Sequence, residues 1–440
     1  MSYFVAEPLL PFEEFTAAGD DNRRLLWVLS VLPDERLLLY LEQAREGHRD
    51  AYPQRVLWRC LIAKLVYQIK TYAELIRELW RNGSLRQVVG IEGTPPRDYH
   101  FSRFLKRLSQ PLFERLLAEM FHQLVARLAE ALPELGAQVA VDGTAVHAYS
   151  NERKARRGKA SDPDAQWGAR TQTEVKPPSS AAEGASAKRP PEKRKAYWFG
   201  YVVELLVDCA AELPLGFQVT PANESETLEF RPLLRELAAE HPEVAGRTKV
   251  VVADKGYDSR ENCEHVLREL KALPIIKMRR RLKGDEIDQS AECCCTELGT
   301  PICQSGHKMI YWGRDGDDLK WRCPAKVGKH PVRCTFRGGC GTPSKYGRVL
   351  KVSIWEDARR WPGIWRESHR FKRLYKQRTA AERVNSRLKQ HLLLDDLTIR
   401  GLAKVKVHVG LGLLVMLAGA WAMVQADRKD RMRRTVRLAA

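Results

Sequence analysis

The sequence has no phosphate-binding glycine loop, no nucleophilic Ser-His pattern and no internal repeat. Those absences set aside P-loop nucleotide hydrolysis, serine-nucleophile hydrolysis and solenoid architectures. The opening stretch MSYFVAEPLLPFEEF is acidic and lacks a basic segment followed by an apolar core. No export signal is therefore expected, and without export a disulfide framework is not expected either. A membrane-spanning helix needs about 20 apolar residues. The uncharged run from Val409 to Val424 is only sixteen residues, with Lys404, Lys406 and His408 just before it. We expect a buried core helix there, packed behind a sheet, and no membrane association. The expected location is cytoplasmic, with the nucleoid.

What is present is positive charge. The 440 residues carry a formal charge of +19 and a pI near 9.5. That excess points to a polyanionic partner, and clustering favours nucleic acid. Residues 152–195 hold twelve Lys or Arg against six Asp or Glu, and residues 427–440 hold six against two.

The chain is long enough for two or three domains. Residues 1–130 read as helical, with apolar residues at helical spacing in RRLLWVLSVL, VLWRCLIAKLVYQI and YAELIRELWRN. The helix DYHFSRFLKRLSQP sets Arg103, Lys106 and Arg107 beside aromatic residues, which suits a DNA-binding bundle. Residues 131–278 read as α/β. The first strand lies at 139–150. Residues 152–195 read as a flexible basic loop, being too poor in apolar surface to fold alone. WFGYVVELLVD and PLGFQVT form a hairpin, and a helix at 224–240 follows. TKVVVAD, SRENCEHVLREL and LPIIKM then read as strand, helix and strand. Residues 279–370 form a cysteine-rich insertion with short β-like runs. The α/β domain resumes at 371–426, and 427–440 is a basic tail.

The chemistry concentrates in YKQRTAAERVNSRLK, where Tyr375, Arg378, Glu382 and Lys389 follow the spacing Tyr-x2-Arg-x3-Glu-x6-Lys. On a helix those offsets fall within a stripe of about 60°. A phenol, a guanidinium, a carboxylate and an ammonium on one line suit a metal ion at Glu382 and phosphates at the other three. The plain alternative is a solvated face with an Arg378–Glu382 pair. Two upstream carboxylates shift the balance toward the metal and phosphate reading. Asp142 lies in the strand-like QVAVDGTAV, and Asp254 ends the apolar run TKVVVAD. Two strand ends and one packed helix can bring three carboxylates together. Such a group repels itself unless a cation neutralises it, and Mg2+ (or Mn2+) with its oxygen ligands is the natural occupant. Two such ions suit in-line attack on a phosphodiester.

On these residues the chain resembles a DDE transposase of the bacterial insertion-sequence type. The match runs through Asp142 in VAVDGT, Asp254 in VVADKGYDS and Glu382 in the four-residue signature, and it spans nearly the whole chain. SDPDAQWG and FSRFLKRL are also similar to segments of such transposases. The resemblance implies an RNase H-like mixed sheet flanked by helices, with the helical domain in front and the insertion before Glu382. It implies that Asp142, Asp254 and Glu382 bind divalent metals. It also implies that Tyr375, Arg378 and Lys389 handle the transposon-end DNA. The implied activity is metal-dependent cleavage at transposon ends and strand transfer into target DNA, by at least a dimer when DNA is bound. Relatives often carry Lys and His after the Gly-Tyr of the next strand. Here Gly200-Tyr201 is followed by Val202 and Glu204. The rival readings are a transposase-derived DNA-binding protein without activity and a nuclease that cuts without joining.

Seven of the ten cysteines fall between residues 293 and 340. Cys303, Cys323, Cys334 and Cys340 are the best four for a structural Zn2+, with His307 as substitute. No pair of C-x2-C knuckles is present, so reduced thiols remain the alternative. Asp208 ends a strand without a motif. Asp258 and Ser259 read as caps for the helix that follows.

Overall fold

The computed structural model describes residues 20–45, 52–174, 192–279, 295–327, 332–334 and 347–435. Among the described residues, seven helices come first: α1 (Asp20–Val31), α2 (Glu35–Gln43), α3 (Gln54–Val66), α4 (Tyr72–Arg81), α5 (Gly83–Val89), α6 (Asp98–Leu108) and α7 (Pro111–Ala131). Their limits follow local chemistry. Thr71 and Glu74 form a reciprocal capping box at the start of α4. Gly90 ends α5 in the left-handed conformation, at φ 85°. Pro111 opens α7 at a position where no backbone N–H is needed. α3 is buried nearly all round and forms the centre of the bundle.

The main sheet follows. Its strands are β1 (Gln138–His147), β2 (Gln166–Glu174), β3 (Glu192–Asp208), β4 (Pro214–Pro221), β5 (Val250–Ala253) and β6 (Leu273–Ile276). The short helix α8 (Glu152–Ala155) precedes β2. Between β4 and β5 lie α9 (Glu226–Glu240) and α10 (Pro242–Arg247), and α11 (Arg260–Arg268) joins β5 to β6. The order is β2-β3-β1-β5-β6, with β4 beside the second half of β3. β1, β3, β2 and β4 pair antiparallel, whereas β1, β5 and β6 run parallel. All four residues of β5 are buried, as expected of a short parallel strand covered on both faces. This is the mixed α/β sheet, flanked by helices, that the sequence leads one to expect.

The loop expected at 152–195 is corrected in part. Gln166–Glu174 is a strand that pairs along the outer edge of the first half of β3, while residues 175–191 lie outside the described ones. β2 is polar, so it lacks the apolar alternation that marks a strand. It is held by its ladder to β3 and by Trp167, which packs against Phe199 and under Arg156.

A three-stranded antiparallel sheet lies in the insertion: β7 (Ile310–Asp315), β8 (Asp318–Arg322) and β9 (Val349–Ser353). The chain then re-enters the main domain through α12 (His369–Tyr375), a 3-10 turn at Lys376–Arg378, and α13 (Thr379–His391). The signature is thus not on one unbroken α-helix. The Thr379 hydroxyl donates to the Lys376 carbonyl at 3.0 Å, a back-bond that tightens the path between the two helices.

The last long helix, α14 (Leu402–Gln425), is long and apolar enough to cross a membrane, yet most of its residues are buried, with α7, α1 and β4 packed against it. A helix apolar on every side belongs in a core. Its start is fixed by SDPD: Asp164 accepts from the Leu402 N–H at 2.8 Å, and buried Asp162 accepts from Gly401 N–H and from the Tyr201 hydroxyl.

Candidate active site

The parallel ladder between β1 and β5 ends at the pair Val141–Ala253. Asp142 and Asp254 are the next residue on each strand, so both aspartates leave the ladder side by side. Asp142 does not end its own strand. β1 continues to His147 against β3, and only the β5 partner stops. α13 packs across β1 and β3 and brings Glu382 from above.

Two side chains of the signature, Arg378 and Tyr375, reach these carboxylates. Arg378 donates from Nη1 to Asp142 Oδ1 at 3.2 Å and from Nη2 to Glu382 Oε1 at 2.6 Å. The Tyr375 hydroxyl donates to Asp254 Oδ1 at 3.3 Å. Asp254 also accepts from the Lys255 N–H at 2.6 Å and so caps the 3-10 turn after β5. Lys389 stands further along the stripe and pairs with Asp395 at 3.3 Å. Asp142, Glu382 and Lys389 border one open depression of about 310 Å3.

The electrostatics record how close the acids are. Burial pushes the Asp142 carboxyl up to about 6; Arg378 and Arg170 oppose this, while the charges of Glu382 and Asp254 add to it. Burial works against the charge of Arg378, but Asp142, Tyr375 and Glu382 together hold its pKa above the usual value. Burial first, and then the Asp254 charge, raise the Tyr375 phenol to about 12. It therefore remains a neutral donor at physiological pH.

Four residues that the sequence did not announce complete the site. Asn385 donates from Nδ2 to Asp142 Oδ2 at 3.2 Å, and its own Oδ1 is buried without a partner. It lies three residues after Glu382, so the helical spacing itself was the available signal. Arg170, on β2, donates to the Gly143 carbonyl at 2.8 Å and to Glu226 at 2.5 Å. Glu204 stands opposite Gly143 on β3 and accepts from the Tyr257 hydroxyl. Burial raises the Glu204 carboxyl to about 8. A Cβ on Gly143 would come within 2.5 Å of Glu204 Oε1, so any larger residue beside Asp142 would have to displace the buried Glu204 carboxyl from its bond to Tyr257. The Glu204–Tyr257 bond ties β3 to the turn that carries Asp254.

Other candidates have structural work. Asp208 accepts from the backbone N–H groups of Gly136, Ala210 and Ala211 and closes the β3–β4 turn. Asp258 does not cap α11, a role taken by Ser259. It accepts from Arg359 and from the Arg279 N–H, joining the insertion to the sheet.

Among the described residues, no three His, Cys, Asp or Glu side chains close into a ready-made metal cage. At the carboxylates the reason is visible: the Arg378 guanidinium stands between Asp142 and Glu382 as their counter-ion. The donor set still suits a hard divalent cation: Asp142 and Glu382 border the open depression, and Asp254 leaves the neighbouring strand beside Asp142. In the insertion, Cys303, Cys323 and Cys334 are free thiols, while Cys340 lies outside the described residues.

Residues 135–418 match the family model described as the transposase DDE domain. The chain belongs to the DDE transposase family. Members of that family cut and transfer DNA and generally use a divalent metal. No curated protein matches the chain. Among solved structures it is similar to a piggyBac transposase synaptic complex with hairpin DNA, seen by cryo-electron microscopy. The identity is 12%, the TM-score 0.40, and the match covers 94% of this chain and 79% of that one. A likeness that distant carries no further weight. The family assignment rests on the domain match.

Proposed function

We propose that this transposase cleaves DNA at transposon ends and joins the freed 3′ ends to target DNA, with Asp142, Asp254 and Glu382 as its catalytic carboxylates. The supporting observation is that Arg378 joins Asp142 to Glu382 while Tyr375 reaches Asp254. One short helical segment thereby meets both strand-borne aspartates. The three carboxylates would hold Mg2+ or Mn2+, which when bound supplies an activated water and neutralises the leaving oxygen.

The chain's own residues do the positioning. Asn385 fixes one oxygen of Asp142, leaving the other to the cation. Arg170 fixes the backbone beside it. Arg378, on leaving Asp142, is placed to neutralise a phosphate oxygen, and Tyr375 to donate to another. Lys389, on leaving Asp395, adds a point charge along the same stripe. Two ends must be held for joining, so at least a dimer forms on DNA. The location is cytoplasmic, at the nucleoid.

Lys389→Ala should weaken binding to transposon-end DNA and reduce the salt dependence by about one counterion of slope. A gel-shift titration at several salt concentrations measures both. Unchanged affinity and slope would remove Lys389 from the DNA-contacting set. The cysteine cluster is read as a structural zinc site formed by Cys303, Cys323, Cys334 and Cys340. Elemental analysis of purified protein should then find about one zinc per chain, whereas metal-free protein with a folded insertion would reject it.

A further inference from the structure

A large cleft lies away from the carboxylates. It has a volume of about 710 Å3 and opens where the edge strand β6 meets the insertion. Lys249 and Lys271 border it from the entry ends of β5 and β6. Asp254 leaves the opposite end of β5, five residues after Lys249, or roughly 16 Å along the strand. Arg314, Tyr311 and Trp355 form the insertion wall, and Arg370 comes from the first turn of α12.

The charge in this cleft is not internally compensated. Asp317 is the one acid that borders it. Its carboxylate is already engaged, accepting from Arg314 at 3.2 Å and from the Trp355 indole N–H at 2.9 Å. Among the described residues, Lys249, Lys271 and Arg370 have no ion-pair partner, and all three are exposed. Three cations without ion-pair partners around a cleft with one aromatic wall form an anion trap rather than a satisfied surface network. Their spread across the cleft suits several phosphates in a row better than one carboxylate.

The geometry points to a second DNA-binding site: this cleft takes the phosphodiester backbone of a duplex segment beyond the one at the carboxylates. α12 links the two places. Arg370 faces the cleft from its first turn, and Tyr375 at its last residue touches Asp254. DNA engaged by both would brace the helix that carries part of the catalytic signature. The inference rests on the transposase reading of the carboxylate site, and its test separates the two.

The test uses the full chain, two duplexes and one small anion. One duplex ends just beyond the cleavage position, and the other is extended by about one helical turn, or roughly 10 base pairs. Wild-type protein should bind the extended duplex more tightly. Lys249→Ala with Lys271→Ala should lower affinity for the extended duplex about tenfold and reduce its salt slope by about two. Binding and cleavage of the short duplex should be unchanged, and both lysines are exposed, so thermal melting should match wild type. Equal affinity of the double variant for the extended duplex would overturn the proposal. So would an equal loss on both duplexes, which would mark a general charge effect. Pyrophosphate that raises the melting temperature of wild type but not of the variant, with extended-duplex binding unaltered, would assign the cleft to a small phosphate ligand instead. If wild-type protein fails to cut the short duplex, the reading of the carboxylates fails, and the duplex comparison still judges the cleft.

Discussion

Glu382→Gln should abolish cleavage of transposon-end DNA, lowering the rate by more than about a hundredfold, while end binding persists or tightens. Glutamine keeps the size of the side chain and still accepts a hydrogen bond from Arg378, now at 2.6 Å from Glu382 Oε1. What it removes is one negative charge from the cation's ligand set and one charge that repels phosphate. Chemistry and binding should therefore part company. The assay pairs Mg2+-dependent cleavage with a gel shift on the same DNA. A variant that cuts at the wild-type rate would favour a protein that binds DNA without acting on it.

Arg378→Ala should be costly in a different way. The guanidinium neutralises Asp142 and Glu382 in the metal-free protein, and Asp142 is mostly buried. Its loss leaves a carboxylate without its cation, a change worth about 1–3 kcal/mol once partial exposure is allowed for. The pH dependence follows from the raised pKa of Asp142. A carboxyl with a pKa of about 6 is already largely protonated in somewhat more acidic solution. The loss should thus be greater near pH 8 than near pH 5. Mg2+ or Mn2+ should restore the melting temperature of the variant, and by more than it raises that of wild type, because the ion no longer competes with the guanidinium. Thermal melting with and without metal, at both pH values, reads this out. An equal metal shift in the two proteins would mean that Arg378 and the metal do not share a place.

Much of this site could be read from the sequence, and for identifiable reasons. The apolar run before Asp254 makes a strand that must be buried, so the residue after it must emerge where the strands end and meet solvent. The spacing of Tyr375, Arg378 and Glu382 survives the 3-10 turn because its residues keep right-handed helical backbone angles. At Asp142 the partner strand ends while β1 itself runs on to His147 against β3, so a strand end in the sequence marks the residue through its neighbour. Contacts between distant segments were less legible. Arg170 lies on a polar edge strand that no periodicity marks. Glu204 reads in the sequence only as a departure from relatives, and its bond to Tyr257 appears only once β3 and the Asp254 turn are packed together. The cleft at Lys249 and Lys271 is assembled from four separate segments, and no local pattern announces it.

The central claim is that Asp142, Asp254 and Glu382 act as one cation-binding site. Mn2+ titration of the metal-free protein, followed by calorimetry, tests it most directly, using wild type beside Asp142→Asn, Asp254→Asn and Glu382→Gln. The account predicts that each substitution alone weakens Mn2+ binding by at least about tenfold while thermal melting shows a folded protein. Wild-type affinity in any one of the three variants would contradict it.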